Sequence, residues 1–327
     1  MLTDPLDIIP EAPTQLLDRH KDPFRVLTEP KWQADLAHHQ ARFESLVAPH
    51  MLRRSNHIKN PVADFLFEYY AFRPSHLQRF SPGMGAVLQG SSASQFLKRD
   101  EFQRVDGGVA LIPDGEKETS EAFRTGTDWI LTLLKNTQAR TPMFGCFGLH
   151  EWAMLYRTEA PRHSQLPLRV HPDELARVVE QGPLRCSHFD AFRFFTEDAR
   201  PLNQTQIRRE DAFSHEQPGC LHANMDVYRW AFKRAPWISS RLTMDAFEEA
   251  MTIRELDMAA SPYDLSEFGI EPVPIETRAG REEYIRSQRA CFERSAHLRK
   301  RLIEEYELLV DALSERASAF ANQETRS

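Results

Sequence analysis

From Arg281 to about Phe320 the chain runs forty residues without a proline or a glycine. Strands seldom exceed about ten residues, so this stretch reads as one long helix or a helix pair. Either form needs a broad apolar surface to lie on. With 41% apolar and 27% charged residues, the chain can build one. Residues 281–301 hold seven Arg or Lys against three Glu, a basic face that reads as solvated helix surface.

The rest of the chain agrees with a mainly α fold: a single helical domain over residues 30–320 with a minor β-ribbon or hairpin. Residues 1–29, rich in Pro and Asp, read as a partly disordered N-terminal arm. Pro30 opens a helix from Lys31 to about Arg54, and Pro61 opens another over Val62 to about Phe72. His38, His39 and His50 on the first, and Asp64 and Glu68 on the second, read as solvated edges. Further helices are expected over residues 116–138, from His150 to Arg157, after His171, from Gly219 to Lys233 and from Met244 to Ser261. Asp106-Gly107, between Phe102, Val105, Val109 and Leu111, reads as a tight hairpin turn. Cys186 to Phe195 alternates, which predicts a strand carrying His188 and Asp190 on one face.

The formal charge of -7 argues against whole-surface affinity for duplex DNA, which depends on neutralising phosphates. No apolar run approaches the ~18 residues of a membrane span, and no basic-then-apolar start marks a secretory signal. Cys146, Cys186, Cys220 and Cys291 are far apart and include no Cys-x-x-Cys, which disfavours a zinc ribbon or a disulfide scaffold. The expectation is a cytoplasmic protein with no membrane partner.

Chemistry concentrates between Phe144 and Asp226. Three clusters, Phe144-Gly-Cys-Phe-Gly-Leu-His-Glu-Trp152, Cys186-Ser-His-Phe-Asp190 and Gln217-Pro-Gly-Cys-Leu-His-Ala-Asn-Met-Asp226, each combine a histidine, a carboxylate and a nearby cysteine. Imidazoles titrate near neutral pH and bind metals. On one helix, His222, Asp226 and Arg229 fall on one stripe. Arg254 and Asp257 read as a paired couple.

The three clusters, together with Pro61-Val-Ala-Asp-Phe-Leu-Phe-Glu-Tyr-Tyr70 and Asp257-Met-Ala-Ala-Ser-Pro-Tyr-Asp-Leu265, resemble a bacterial family often labelled 3-methyladenine DNA glycosylase. The resemblance runs from about residue 40 to 300. It departs at Phe80-Ser81-Pro-Gly83, where that family would carry Trp-His-Pro-Gly. Ser81-Pro-Gly-Met-Gly85 also resembles the hairpin of helix-hairpin-helix DNA-binding proteins, with Asp106 at the distance of a catalytic aspartate. The family label implies excision of an alkylated base.

Two functions follow as expectations. The first is a hydrolase cleaving the N-glycosidic bond of a modified nucleobase, nucleoside or DNA base. Asp226 or Asp190 would be its carboxylate, His222 or His188 its proton-transfer group, and Glu151 a further acid. Trp152, Tyr156, Phe189, Tyr228 and Trp230 would hold the base, aided by Arg229. The second is a metalloenzyme with iron, manganese or zinc on His150, His188, His222 and Asp226, acting on a small molecule. A non-catalytic binding module, with each histidine a polar anchor in a helical core, is the third alternative.

Overall fold

In a computed structural model, which describes residues 25–158 and 166–324, the forty-residue stretch belongs to one continuous helix. It runs Arg278–Glu324, 47 residues, about 70 Å at 1.5 Å per residue. Tyr284, Gln288, Cys291, Ser295, Leu302, Tyr306, Leu309 and Leu313 are buried along it. Most are spaced three or four residues apart, which keeps one face against the core.

The helices of ten residues or more among the described residues are α1 (Glu29–Leu46), α2 (Glu121–Ala139), α3 (Pro172–Gln181), α4 (Leu221–Lys233), α5 (Ser240–Ala259) and α6, the long one. α4 and α5 form an antiparallel hairpin, and α6 packs on both. Ser239 caps α5 by accepting from the Leu242 amide, and Glu305 of α6 in turn accepts from the Ser239 amide at 2.6 Å. No helix among the described residues is long and apolar enough to cross a membrane.

The β component is a four-stranded sheet: β1 (Arg25–Leu27), β2 (Ala86–Leu88), β3 (Phe102–Val105) and β4 (Gly108–Leu111), in the order β1-β2-β4-β3. β3 and β4 are the expected hairpin, with Val105 opposite Gly108. Gly107 supplies the turn's positive φ of 79°. The sheet closes a second small core with Trp32, Phe96 and Trp237 against Leu309 and Leu313 of α6.

Several local expectations are corrected. Of the supposed arm, residues 1–24 lie outside the described residues, but Arg25–Leu27 is a strand pairing parallel with β2. The 116–138 helix breaks at Ser120, whose hydroxyl accepts from the Phe123 amide and restarts it. The Val62–Phe72 helix shrinks to Phe65–Tyr69 and stops at Ala71, with φ 51°. Cys186–Phe195 is not a strand. Asn203 bonds both the amide and the carbonyl of Cys186, which leaves nothing there for a neighbouring strand, and the chain turns into a short helix, Phe189–Phe192. His39, His50 and Asp64 are buried rather than solvated. Asp64 accepts from His50, Arg53 and the Asn60 amide, which compensates its burial. The Ser81–Gly85 turn leads into strand β2, not a helix, and Asp106 sits exposed in the hairpin turn. No helix-hairpin-helix forms there.

Candidate metal centre

The three histidine clusters, on separate pieces of chain, converge. The His150 and His222 rings lie 4.6 Å apart, edge to face, and the His188 and His222 rings 5.4 Å apart. All three are buried.

His150 rides on a short helix, Leu149–Ala153, that starts at Gly148 with φ 67°. A Cβ at Gly148 would lie 3.3 Å from Ala260 and 3.4 Å from the Tyr284 ring. Glycine therefore serves both the left-handed turn and the close approach. His222 stands in the first turn of α4. The loop before it is held by Gln217, which accepts from the Gly219 and Met143 amides, and by Gln288 of α6, which donates to the Gly219 carbonyl. Asp257 stands in the last turn of α5. An antiparallel helix hairpin returns the end of its second helix to the start of its first, so Asp257 meets His222.

The ligand atoms of His150, His222 and Asp257 all lie within 4.8 Å of one another, the one such group of three among the described residues. Ligands on one tetrahedral ion, at bonds of roughly 2.1 Å, stand about 3.4 Å apart. The widest pair in the set must therefore close by up to about 1.4 Å to share an ion. His150 Nε2 and Asp257 Oδ1 are 2.7 Å apart, yet both are fully enclosed and neither makes a hydrogen bond of good geometry. At that separation the two form a buried ion pair, and a metal ion binding here would take the place of the proton between them. The other Asp257 oxygen accepts from Arg254 at 2.7 Å, and Arg254 also donates to Glu151 at 3.0 Å. This orients the carboxylate as outer partners of a metal ligand do. Two imidazoles and one carboxylate suit iron, manganese or zinc.

Electrostatics follow the geometry. Burial opposes charge on His150, but Asp257 overcomes it and raises the imidazole's pKa. Asp257 is held well below the usual carboxylate range despite burial, by His150 and then Arg254. Burial, reinforced by the positive His150, keeps His222 neutral. A neutral imidazole is the form that binds a metal, so His222 is ready for one, whereas His150 must first give up the proton that Asp257 favours.

Beyond His222 lies a second cluster. Asp226 accepts from Tyr70 Oη at 2.7 Å and from Arg229 at 3.0 Å, and Arg229 also reaches Asp190 at 2.8 Å. His188 Nε2 is 3.4 Å from Asp226 and 3.7 Å from Glu216. Against burial, Glu216 and Asp226 push the His188 pKa up to about 9. Burial, with Asp226 close by, pushes Glu216 up to about 7. Asp226 is held low against its burial, chiefly by Arg229.

A cavity of about 20 Å³ touches His150 and His222 and is walled by Cys146, Cys186, Cys220 and Gln217. It has room for about one water. The expected base-binding rings do not meet around it. Trp152 is wholly buried and donates to the Ala260 carbonyl. Tyr228 packs among Tyr70, Phe72, Phe232 and Phe247. Tyr156 donates to Glu180. Trp230 faces Trp129 under Arg229 and Lys233, and Phe189 lies near Arg209.

Sequence reasoning thus found His150, His188, His222, Asp226, Asp190, Arg229 and Glu151, and the fold gathers them. It missed Asp257 as a candidate ligand, along with Glu216 and Tyr70. The signal for Asp257 was available: a charged pair, Arg254 and Asp257, on the inward stripe of an apolar helix needs a buried purpose. Glu216 carried no local signal.

No family model, curated protein or solved structure matches the chain. The resemblance to the glycosylase-labelled family therefore rests on the quoted motifs alone.

Proposed function

We propose that the protein is a metal-dependent enzyme acting on a small molecule, with His150, His222 and Asp257 as ligands of one divalent transition ion. One observation carries this reading. Three ligand atoms from three separate elements stand within 4.8 Å of one another in an enclosed core, where His150 and Asp257 form a buried pair at 2.7 Å whose shared proton an ion can replace. When bound, such an ion would polarise a water or dioxygen molecule at the side left open by the protein. That side is the small cavity between Cys146, Cys186 and Cys220.

The chain's own groups supply the rest. Arg254 fixes the Asp257 carboxylate. His188, charged at neutral pH because its pKa stands near 9, can donate a proton from the far side of His222. Glu216, near 7, can accept one. Asp226, locked by Tyr70 and Arg229, positions His188 rather than reacting.

The N-glycosidic reading has one support of its own, the ionised Asp226 beside a protonated His188. It ranks second because the rings expected to hold a base do not line the space beside His222, and Trp152 and Tyr228 are locked in the core.

Elemental analysis of the purified, reconstituted protein tests both readings. About one equivalent of iron, manganese or zinc, lost in Asp257→Ala and in His222→Ala, is expected. No metal after exposure to all three ions, together with base release from alkylated DNA that stops in Asp226→Asn, would overturn the metal reading in favour of the other.

A further inference from the structure

A second cavity lies toward the other end of α4. It measures about 60 Å³, room for several waters or one small oxyanion. Phe232, on its wall, is ten residues from His222, about 15 Å along the helix axis. This space is therefore separate from the histidine cluster.

Its lining carries two guanidiniums beside two histidines whose pKa values burial lowers. His39, His76, Arg79 and Arg99 face it with a single carboxylate, Glu101. Arg99 is pinned: its Nη1 donates to the Phe80 carbonyl at 2.7 Å, and its guanidinium lies 4.7 Å over the Phe102 ring. Its Nε and Nη2, which form one edge of the guanidinium, are buried and donate to nothing. Glu101 stands 3.6 Å from Nε, beyond hydrogen-bonding distance. His39 is only 4% exposed; its ring lies against the backbone of Leu77 and Gln78, and burial lowers its pKa, so it forms a neutral wall. Arg79 and His76 are exposed at the mouth. The His76 ring lies parallel to Phe232 at 6.1 Å, and Phe232 lies parallel to Phe72 at 4.1 Å, which makes a flat apolar wall.

Buried polar groups are ordinarily paired. Here a rigid guanidinium edge, with only the Glu101 carboxylate near its Nε and nothing on its Nη2, lines a cavity that opens past Arg79. A guanidinium edge matches two oxygens of an oxyanion. We propose that this cavity binds a phosphate group, held by the Nε–Nη2 edge of Arg99 in place of Glu101, with Arg79 closing the mouth. The group is either free orthophosphate or the head of a small phosphomonoester whose organic part rests on His76 and Phe232. This inference does not depend on the metal reading.

Isothermal titration of the full-length protein at constant ionic strength tests it, with sodium orthophosphate and phenyl phosphate as probes. One saturable site is expected. Arg99→Gln should weaken it at least about tenfold, the scale of a charge-assisted pair. Arg99→Lys should also weaken it, because a point charge lacks the two-pronged edge. Arg79→Gln, at the exposed mouth, should weaken it by about twofold to fivefold. Asp257→Asn should bind phosphate as the wild type does, which separates this site from any phosphate on a metal. Tighter binding of phenyl phosphate than of orthophosphate identifies a monoester, and equal binding identifies the free anion. No saturable heat with either probe overturns the proposal. So does wild-type affinity in both Arg99→Lys and Arg79→Gln, two variants that keep the proposal testable if Arg99→Gln does not fold by circular dichroism.

Discussion

Asp226 and Asp257 are both buried aspartates, on adjacent helices, and both flank His222. They differ in how their oxygens are used. Each oxygen of Asp226 accepts a hydrogen bond, from Tyr70 or from Arg229. Asp257 gives one oxygen to Arg254 and sets the other 2.7 Å from His150. A carboxylate held by two fixed donors is an anchor, whereas one that faces an imidazole can exchange that imidazole's proton for a metal ion. In motif terms Asp226 is the more obvious choice, one helical turn from His222. The grouping of ligand atoms points to Asp257.

The sharpest way to break this contrast is to remove each carboxylate. Asp257→Ala should abolish stoichiometric metal and, by stranding Arg254 in the core, lower stability by about 3–5 kcal/mol in urea unfolding. Asp226→Ala should cost a similar amount of stability yet keep its metal. Metal lost equally from both variants would erase the distinction. Next in size is the effect of pH through His188. Its pKa is raised from 6.5 to about 9, so its contribution to stability is full below pH 6.5 and fades as pH rises through 9. The stability gap between wild type and His188→Gln should therefore narrow over that range, by on the order of 3 kcal/mol. A gap that widens with pH would mean that the Asp226 side does not hold a charged imidazole.

Smaller again is the outer partner of Asp257. Arg254→Gln should reduce metal affinity by about 10–100-fold without removing the site, as read by competition with a chelator of known affinity. An unchanged affinity would leave Arg254 a purely structural ion pair. The smallest effect is expected far from either aspartate. Arg157→Ala breaks the exposed pair with Glu180 and should change stability by less than about 1 kcal/mol. It should leave metal content unchanged, which sets the baseline against which the buried pairs are measured.

Much of the architecture was legible because its causes are local. A forty-residue run without helix breakers had to be helical. Asp106-Gly107 between apolar residues had to turn. His171 was expected to border its helix, and its ring caps the Asp173 amide. Where a local pattern misled, a distant side chain had intervened. Asn203 removed the strand option at Cys186 by taking both of its backbone groups, and no inspection of residues 186–195 would reveal it.

By itself the sequence determined a mainly helical fold and a concentration of histidines and acids between Phe144 and Asp226, because periodicity and residue type act over a few positions. Only the tertiary structure decided which histidine meets which acid. The end of α5 returns to the start of α4 through a helix hairpin, and that long-range closure brings Asp257 within reach of His150 and His222. A hydrogen bond from Tyr70, 156 residues away in the chain, occupies the Asp226 oxygen that Arg229 leaves free. Pairing across such separations depends on how the helices pack, which neighbouring residues in the chain do not encode.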